Sequence, residues 1–187
     1  MKSGVSALKT IPNQITIARI ASVPLLMFFI LNGSNLCSIL AMILFVLAAA
    51  SDAADGYIAR NFDQTSTFGK FADPIADKLL ISGALIAFVQ LQELSAAVVM
   101  VIVAREFLVT GLRILAISEG TAISARSLGK LKTASQVALV LLILVKRSFV
   151  LTGSAISIAQ AVLLGLALLL SLVSGAEYFY RSRRLFA

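Results

Sequence analysis

The sequence contains no histidine, a single cysteine and only nine acidic residues among 187. Without histidine, a Ser-His-Asp triad, a HExxH zinc site and a histidine proton shuttle are all excluded. Acid–base chemistry must therefore fall to Asp, Glu, Lys, Arg, Tyr or water. The lone cysteine, Cys37, excludes an intramolecular disulfide, and a small residue packed in a helix accounts for it.

Charge of either sign is also scarce. Charged residues make up 13% of the chain and hydrophobic residues 59%, and the mean hydropathy is +0.99. A soluble domain of this length needs far more polar surface, so the composition indicates an integral membrane protein. A cleaved secretory signal is not expected, because the first apolar run, 15–31, is too long for an h-region and lacks an A-x-A-like site.

Six apolar segments separated by turn-like breaks predict an all-α fold, a bundle of six transmembrane helices. Six helices of about 20 residues with short loops use nearly the whole chain, so we expect one membrane domain over 1–187. The segments are 15–31, 36–51, 72–92, 95–117, 132–145 and 150–178. The breaks are 32–35, an acid-rich stretch after residue 51, 90–94, 118–132 and 146–148.

Basic residues are distributed unevenly between the two ends of such a bundle. With six spans both termini lie on one side, which collects fourteen Lys and Arg residues, whereas the other side keeps only Lys146 and Arg147. The positive-inside rule makes the first side the cytoplasmic face of the cell membrane. The net charge of +7 then reflects topology and attraction to anionic lipid heads. Nucleic-acid binding is not expected, because no soluble basic module is present.

Four aspartates lie on this cytoplasmic side, at the ends of two consecutive predicted helices. Asp52 and Asp55 are three residues apart, and Asp73 and Asp77 are four apart. Each pair shares one helical face, so the two pairs can converge. Four carboxylates near a membrane need counter-charge, and oxygen-only ligands favour Mg²⁺ or Mn²⁺ over zinc or copper. A solvated, salt-bridged loop is the alternative interpretation.

The residues around these aspartates suit a ligand that carries phosphate. Gly56, and Gly69 ahead of the next helix, leave room for a ligand to approach the backbone. Arg60 can offer a forked donor to a phosphate. Pro74 is expected to begin or kink the next helix and so to aim Asp73.

The complete spacing is D-x-x-D-G-x-x-A-R, eight residues, then G-x-x-x-D-x-x-x-D, beginning at Asp52. At every fixed position it resembles the signature of the CDP-alcohol phosphotransferase family, integral membrane enzymes of phospholipid synthesis. The resemblance implies a six-helix homodimer whose cytoplasmic-face cavity holds a CDP-linked lipid and two divalent cations, Mg or Mn. It makes Asp77 the general base. It also implies metal ligands at Asp52, Asp55, Asp73 and Asp77, and contacts to the CDP-lipid at Gly56, Arg60, Ser66 and Gly69.

Two later segments carry basic residues that suit an acceptor phosphate. "AREFLVTGLR" places Arg105 and Arg113 eight residues apart on one helical face, inside an apolar run where charge is usually functional. "GKLKT" supplies Lys130 and Lys132 at the start of the next span. Four cations facing a metal cavity form a plausible pocket for an acceptor that bears its own phosphate. Positive-inside flanking charge is the alternative.

Both segments, with "IPNQITIARI" at 11–20, are similar to the bacterial phosphatidylglycerophosphate synthase branch of the family. That resemblance implies transfer of the phosphatidyl group from CDP-diacylglycerol to glycerol 3-phosphate, giving phosphatidylglycerophosphate and CMP. Inositol phosphate, serine and phosphatidylglycerol remain alternative acceptors. The final apolar segment carries no such motif.

A further polar set lies at the start of the first span. Asn13, Thr16 and Arg19 recur every three residues, which places them on one helical face, toward the cavity rim. An interfacial cap with a snorkelling arginine is the alternative. Lys78 and Glu106 are expected only to pair with neighbouring charges.

Two other classes of membrane protein fit the composition. A cation or solute transporter would line a pathway with the aspartates, but it favours carboxylates near mid-membrane and interrupted helices in paired halves. A non-catalytic lipid-binding scaffold would not need both carboxylate pairs with glycines at fixed offsets. Release of CMP from CDP-diacylglycerol, with and without Mg²⁺, distinguishes an enzyme from both.

Overall fold

The computed structural model describes the backbone of residues 11–61, 67–118 and 127–182, and the side chains of 14–51, 75–116 and 128–180. Within these ranges every regular element is an α-helix, as the sequence predicts. The helices are α1 (Ile11–Asn32), α2 (Asn35–Asn61), α3 (Thr67–Gln90), α4 (Ala96–Ser118), α5 (Ser127–Ser148) and α6 (Ser154–Ser182).

Each predicted apolar segment corresponds to one helix, but several helices continue beyond the apolar residues, and α6 begins four residues later than its segment. Helix α2 runs through the acid-rich stretch to Asn61, so positions 52 and 55 are helical. Helix α3 begins at Thr67, and Pro74 therefore lies inside it and does not begin it. The predicted break at 146–148 is wrong, because these residues form the last turn of α5. Hydropathy marks the stretch that suits lipid, whereas a helix can continue into water with its backbone hydrogen bonds intact.

Two of the helices end in the same backbone motif. At the end of α3, Gln92 has φ 59° and the Glu93 amide donates to the Phe88 carbonyl at 2.9 Å. At the end of α5, Val150 has φ 50° and the Leu151 amide donates to the Lys146 carbonyl at 2.9 Å. A left-handed residue with this bond pattern satisfies the last carbonyls of a helix and turns the chain sharply. The helices on either side of each turn are consequently antiparallel neighbours.

One carboxylate ties these turns together at what we call the tight-turn end, formed by residues 33–34, 91–95 and 149–153. Lys146 Nζ lies 2.7 Å from Glu93 Oε2, and Arg147 Nη1 lies 3.6 Å from Glu93 Oε1. The side-chain amide of Gln160 donates to the Glu93 carbonyl at 2.8 Å. The two basic residues assigned to this side of the bundle thus share one acidic partner.

Helix α3 lies near the centre of the bundle and contacts α1, α2, α4 and α5, while α6 packs on α4 and α5. The approach of α1 to α3 depends on Gly83, since a Cβ there would lie 2.7 Å from Cγ1 of Val23. Small residues permit such close helix packing in membranes. The core between the helices is apolar and includes Leu26, Ile30, Phe45, Leu85, Phe88, Ile143 and Leu144.

The outer surface of the bundle is also apolar. Among the described residues, three helices are long and apolar enough to cross a membrane: Gln14–Asn32, Leu128–Ser148 and Ser154–Tyr180. Every helix exposes large hydrophobic side chains. In water they would form extensive apolar patches prone to aggregation, whereas in lipid their exposure has no free-energy cost. Examples, one from each helix, are Phe28, Leu47, Ile86, Met100, Leu131 and Leu169. The chain is an integral membrane protein.

Candidate active site

Asp77 is the one member of the aspartate set whose side chain the structure describes. It lies on α3, ten residues after the helix begins, with 27% of its side chain exposed. The ammonium of the adjacent Lys78 pairs with its Oδ2. Asp77 is therefore a partly accessible carboxylate held by a cation of its own helix.

Beyond Lys78, a buried carboxylate on α4 joins three helices. The ammonium of Lys132, on α5, donates to Glu106 Oε1. The same oxygen accepts from Arg105 Nη1 at 3.3 Å and from Gln136 Nε2 at 3.3 Å. Lys78 Nζ lies 3.8 Å from the other oxygen, Oε2. We call Asp77, Lys78, Arg105, Glu106, Lys132 and Gln136 the Glu106 cluster.

The Glu106 cluster is charged and lies inside an apolar bundle. Glu106 and Lys132 are each only 4% exposed, and Gln136 is buried. Charges taken out of water are tolerated only when they are paired and hydrogen-bonded. The cluster has three cations and two carboxylates, so one positive charge is left over among its members. Such an environment attracts an anionic ligand.

Helix α6 forms one wall beside the two arginines of α4. Arg105 Nη2 donates to Ser174 Oγ at 2.9 Å. A Cβ at Gly175 would lie 3.0 Å from Arg105 Cγ, so the glycine leaves the space through which the arginine stem passes. Arg113 Cζ lies 6.0 Å from the centroid of the Tyr178 ring, within cation–π range. Both arginines thus lie on one face of α4, as their spacing of eight residues predicts, and the structure shows that this face meets α6.

The four basic residues predicted for the acceptor pocket divide into two pairs. Arg105 and Lys132 meet at Glu106. Arg113 and Lys130 are exposed. The structure therefore brings two of the four together at one buried carboxylate and leaves the other two accessible.

The described part of the polar face of α1 is buried. Thr16 is 0% and Arg19 3% exposed, and the Ser22 hydroxyl donates to the Arg19 carbonyl at 2.7 Å. A snorkelling arginine would expose its guanidinium, so this burial disfavours the interfacial alternative for Arg19. The side chain of Asn13 lies outside the described residues.

A family model described as CDP-alcohol phosphatidyltransferase matches residues 9–173. The chain belongs to this family. The family membership predicted from the aspartate spacing is therefore confirmed. Ser174, Gly175 and Tyr178, which hold the two arginines, lie just beyond the matched range.

Curated relatives of the family align along almost the whole chain. A Bacillus subtilis protein named CDP-diacylglycerol–glycerol-3-phosphate 3-phosphatidyltransferase is 39% identical, covering 92% of this chain and 94% of its own length. A Rickettsia bellii protein of the same name is 36% identical, with 95% and 98% covered. A Mycobacterium tuberculosis protein named probable phosphatidylglycerophosphate synthase is 34% identical, with 97% and 86% covered.

Most of the signature that led to the family lies outside the described side chains. The backbone places positions 52, 55, 56 and 60 in α2 and positions 69, 73 and 77 in α3. Where side chains are described, no group of three or more His, Cys, Asp or Glu residues could hold a metal. The predicted metal and donor-lipid residues whose side chains lie outside the described residues are Asp52, Asp55, Gly56, Arg60, Ser66, Gly69 and Asp73.

The sequence did not predict that Glu106 lies at the centre of the charged cluster. Lys78 and Glu106 do pair with neighbouring charges, as expected, but together they join Asp77 to the basic residues. A signal was present, because an acid inside an apolar helix is costly and usually has a function. The sequence also gave no reason to expect that the final helix contributes to the site. Its Ser174–Gly175 pair is short and polar within an apolar run, and α6 presents both residues to Arg105.

Proposed function

We propose that this protein transfers the phosphatidyl group of CDP-diacylglycerol to glycerol 3-phosphate, giving phosphatidylglycerophosphate and CMP in phospholipid biosynthesis. One observation carries the proposal: the complete family signature ends at Asp77, and Asp77 belongs to the Glu106 cluster, which is largely buried and has excess positive charge. A phosphate-bearing acceptor needs such charge beside the reacting carboxylate. The names of relatives that align over nearly their full lengths support the same substrates.

Two divalent cations, Mg²⁺ or Mn²⁺, fit the residues present. Positions 52 and 55 are about one turn apart on α2, positions 73 and 77 are one turn apart on α3, and the two helices contact each other. A set of carboxylates alone offers the oxygen ligands that hard cations prefer. Bound there, the cations would neutralise the diphosphate and the departing CMP. The proposed ligands are Asp52, Asp55, Asp73 and Asp77.

Asp77 is the proposed general base. The acceptor hydroxyl oxygen attacks the phosphorus that carries diacylglycerol, the bond from that phosphorus to the CMP oxygen breaks, and the hydroxyl proton passes to the Asp77 carboxylate. Lys78 restricts the rotamers of Asp77 through their ion pair. With no histidine in the chain, a carboxylate is the natural proton acceptor.

Three further signature residues, and Ser66 in the gap between the two halves of the signature, are proposed to hold the donor lipid. Gly56 and Gly69 would let the cytidine diphosphate group approach α2 and α3, and Arg60 and Ser66 would donate hydrogen bonds to it. The acceptor phosphate would lie among Arg105, Arg113, Lys130 and Lys132. Asn13, Thr16 and Arg19 would line the rim of the same cavity.

We further propose six membrane spans in one domain, with both termini and the cavity on the cytoplasmic side, and a homodimer. The topology is supported by the tight-turn end, where Lys146 and Arg147 are balanced in part by Glu93. In the proposed topology the other fourteen basic residues of the sequence would lie on the opposite side, the bias that the positive-inside rule requires. The dimer rests on the family resemblance alone.

A competition between acceptors tests the proposed reaction. Purified protein in detergent would receive CDP-diacylglycerol, Mg²⁺ and an equimolar mixture of glycerol 3-phosphate, serine, inositol phosphate and phosphatidylglycerol. We expect CMP release with phosphatidylglycerophosphate as the main lipid product, identified by mass spectrometry. A different lipid product would assign the chain to another branch of the family. No CMP release would favour a transporter or scaffold.

Replacement of Arg113 by Ala is expected to weaken the acceptor and spare the donor. Loss of a charge-assisted hydrogen bond costs about 1.5–3 kcal/mol, which is roughly a tenfold to hundredfold rise in the KM for glycerol 3-phosphate. The KM for CDP-diacylglycerol should hardly change. Arg113→Lys should recover only part of the loss, because an ammonium cannot reproduce the planar fork of the guanidinium.

Arg147→Ala is the matched control for Arg113, since Arg147 lies at the tight-turn end beside Glu93. Initial rates with each substrate varied separately give both constants. Equal damage to the two KM values in Arg113→Ala would mean that the arginine supports the fold through Tyr178. If neither KM changes, Arg113 is only one of the basic residues that set the membrane topology.

A further inference from the structure

We propose that Glu106 is a positioning residue for the acceptor, holding Lys132 and Arg105 in place from α5 and α4 and joining them, through Lys78, to Asp77. The inference rests on the proposed function and adds to it an internal anion that assembles the cationic pocket. Glu106 itself need not touch substrate. Its effect would pass through the cations that it binds.

The first support is the convergence of hydrogen bonds on one oxygen. Glu106 Oε1 accepts from Lys132, from Arg105 at 3.3 Å and from Gln136 at 3.3 Å. Gln136 is uncharged and buried, so its amide adds direction and not charge. A carboxylate fixed by an amide and two cations from two helices has little rotational freedom. The cations that it binds are therefore preorganised before a phosphate arrives.

The second support is burial. Lys132 has an intrinsically flexible four-carbon stem, yet it is 4% exposed and directed at Glu106. Without the carboxylate, Lys132, Arg105 and Lys78 would repel one another in a site with little water to screen them. They would then move apart or turn outward. The position of Lys132 thus depends on the charge of Glu106 as well as on its shape.

The third support is the connection to the proposed base. Lys78 pairs with Asp77 and also lies 3.8 Å from Glu106 Oε2. A continuous path of charged contacts therefore runs from Asp77 on α3, through Lys78 and Glu106, to Lys132 on α5. A shift of Glu106 changes the placement of the acceptor pocket relative to the base. Misplacement of about 1 Å can reduce a rate by roughly a hundredfold.

Glu93 provides a matched control within the same chain. It too pairs with basic residues of the chain, Lys146 and Arg147, but at the tight-turn end. Glu106 lies ten residues into α4, roughly 15 Å along the helix from its start. The pairs at Glu93 stabilise turns, whereas those at Glu106 face the proposed site. Removal of the charge at each position separates positioning from general stability.

The experiment compares Glu106→Gln, Glu106→Asp and Glu93→Gln with the wild type, measuring kcat and both KM values together with the melting temperature in detergent. For Glu106→Gln we expect a fall of roughly tenfold to hundredfold in kcat/KM for glycerol 3-phosphate, mainly through a higher KM, with the KM for CDP-diacylglycerol changed by less than about twofold. Glu106→Asp keeps the charge but shortens its reach, so it should fall between Gln and wild type. Glu93→Gln should keep both KM values even if its melting temperature falls.

Several results would overturn the inference. If the Glu106 variants contain less active protein but keep both KM values, Glu106 is a structural residue only. A lower KM for glycerol 3-phosphate in Glu106→Gln would mean that the carboxylate competes with the phosphate for Lys132. If Glu106→Gln does not fold, the same comparison of the two KM values in Glu106→Asp decides the matter. A wild type inactive with glycerol 3-phosphate would remove the proposed function itself, which distinguishes that failure from a failure of the inference.

Discussion

Replacement of Asp77 by Asn should lower kcat by roughly a hundredfold or more, the usual effect of removing a general base. Asparagine preserves the size of the side chain and one oxygen, but it cannot accept the proton of the acceptor hydroxyl. The KM for CDP-diacylglycerol should change much less, because the other three proposed metal ligands remain. Steady-state rates at saturating concentrations of both substrates give the change in kcat.

The surroundings of Asp77 indicate that this substitution should affect catalysis without disturbing the fold. Its side chain is partly exposed, and its partner Lys78 keeps a second carboxylate at Glu106 when Asp77 loses its charge. We therefore expect the melting temperature of Asp77→Asn to remain close to that of the wild type. Glu93→Gln, an acid-to-amide change at the tight-turn end, is the control. Near-normal kcat in Asp77→Asn would require another base, or a water activated by metal.

Removal of divalent metal should abolish turnover altogether. Four aspartates offer only hard oxygen ligands, and a reaction between a diphosphate and a phosphate-bearing acceptor gathers negative charge that needs compensation. We expect EDTA to stop CMP release and added Mg²⁺ or Mn²⁺ to restore it. Full turnover in chelator would contradict the two-metal proposal.

Binding of the metal can also be measured without turnover. A ligand that binds only the folded state raises the melting temperature in proportion to the logarithm of its concentration once it is in excess. Mg²⁺ should therefore stabilise the wild type in detergent, and Asp77→Asn should respond less because one proposed ligand is weakened. Glu93→Gln should respond like the wild type. Equal responses in all three proteins would place metal binding away from Asp77.

The two substitutions at α3 and α4 report on different parts of the proposed reaction. Asp77→Asn is expected to act on kcat, through the proton, and Glu106→Gln on the KM for the acceptor, through the cations. Because Lys78 lies between the two carboxylates, the double variant should not be the simple sum of the single ones. Residues that share a partner commonly show coupling of this kind.

The sequence by itself determined the helices and the family. Apolar segments such as 36–51 and 95–117 predicted helices correctly, because hydropathy and helical period are local properties read from neighbouring residues. The aspartate spacing identified the family for the same reason: four positions on two consecutive helices are fixed by short separations along the chain. The spacing of Arg105 and Arg113 likewise predicted that both would face one way, and both face α6.

Only the tertiary structure decided which charges meet. Glu106 binds Lys132 and Gln136, which are 26 and 30 residues away, and Arg105 binds Ser174, which is 69 residues away. Contacts over such separations depend on the rotation and axial shift of each helix against its neighbours. Those are set by packing, as where Gly83 lets α3 approach Val23 of α1. The period of one helix specifies one of its faces but not the neighbouring face that it packs against. The sequence therefore predicted one pocket for four cations, and only the structure shows that two of them, Arg105 and Lys132, bind Glu106.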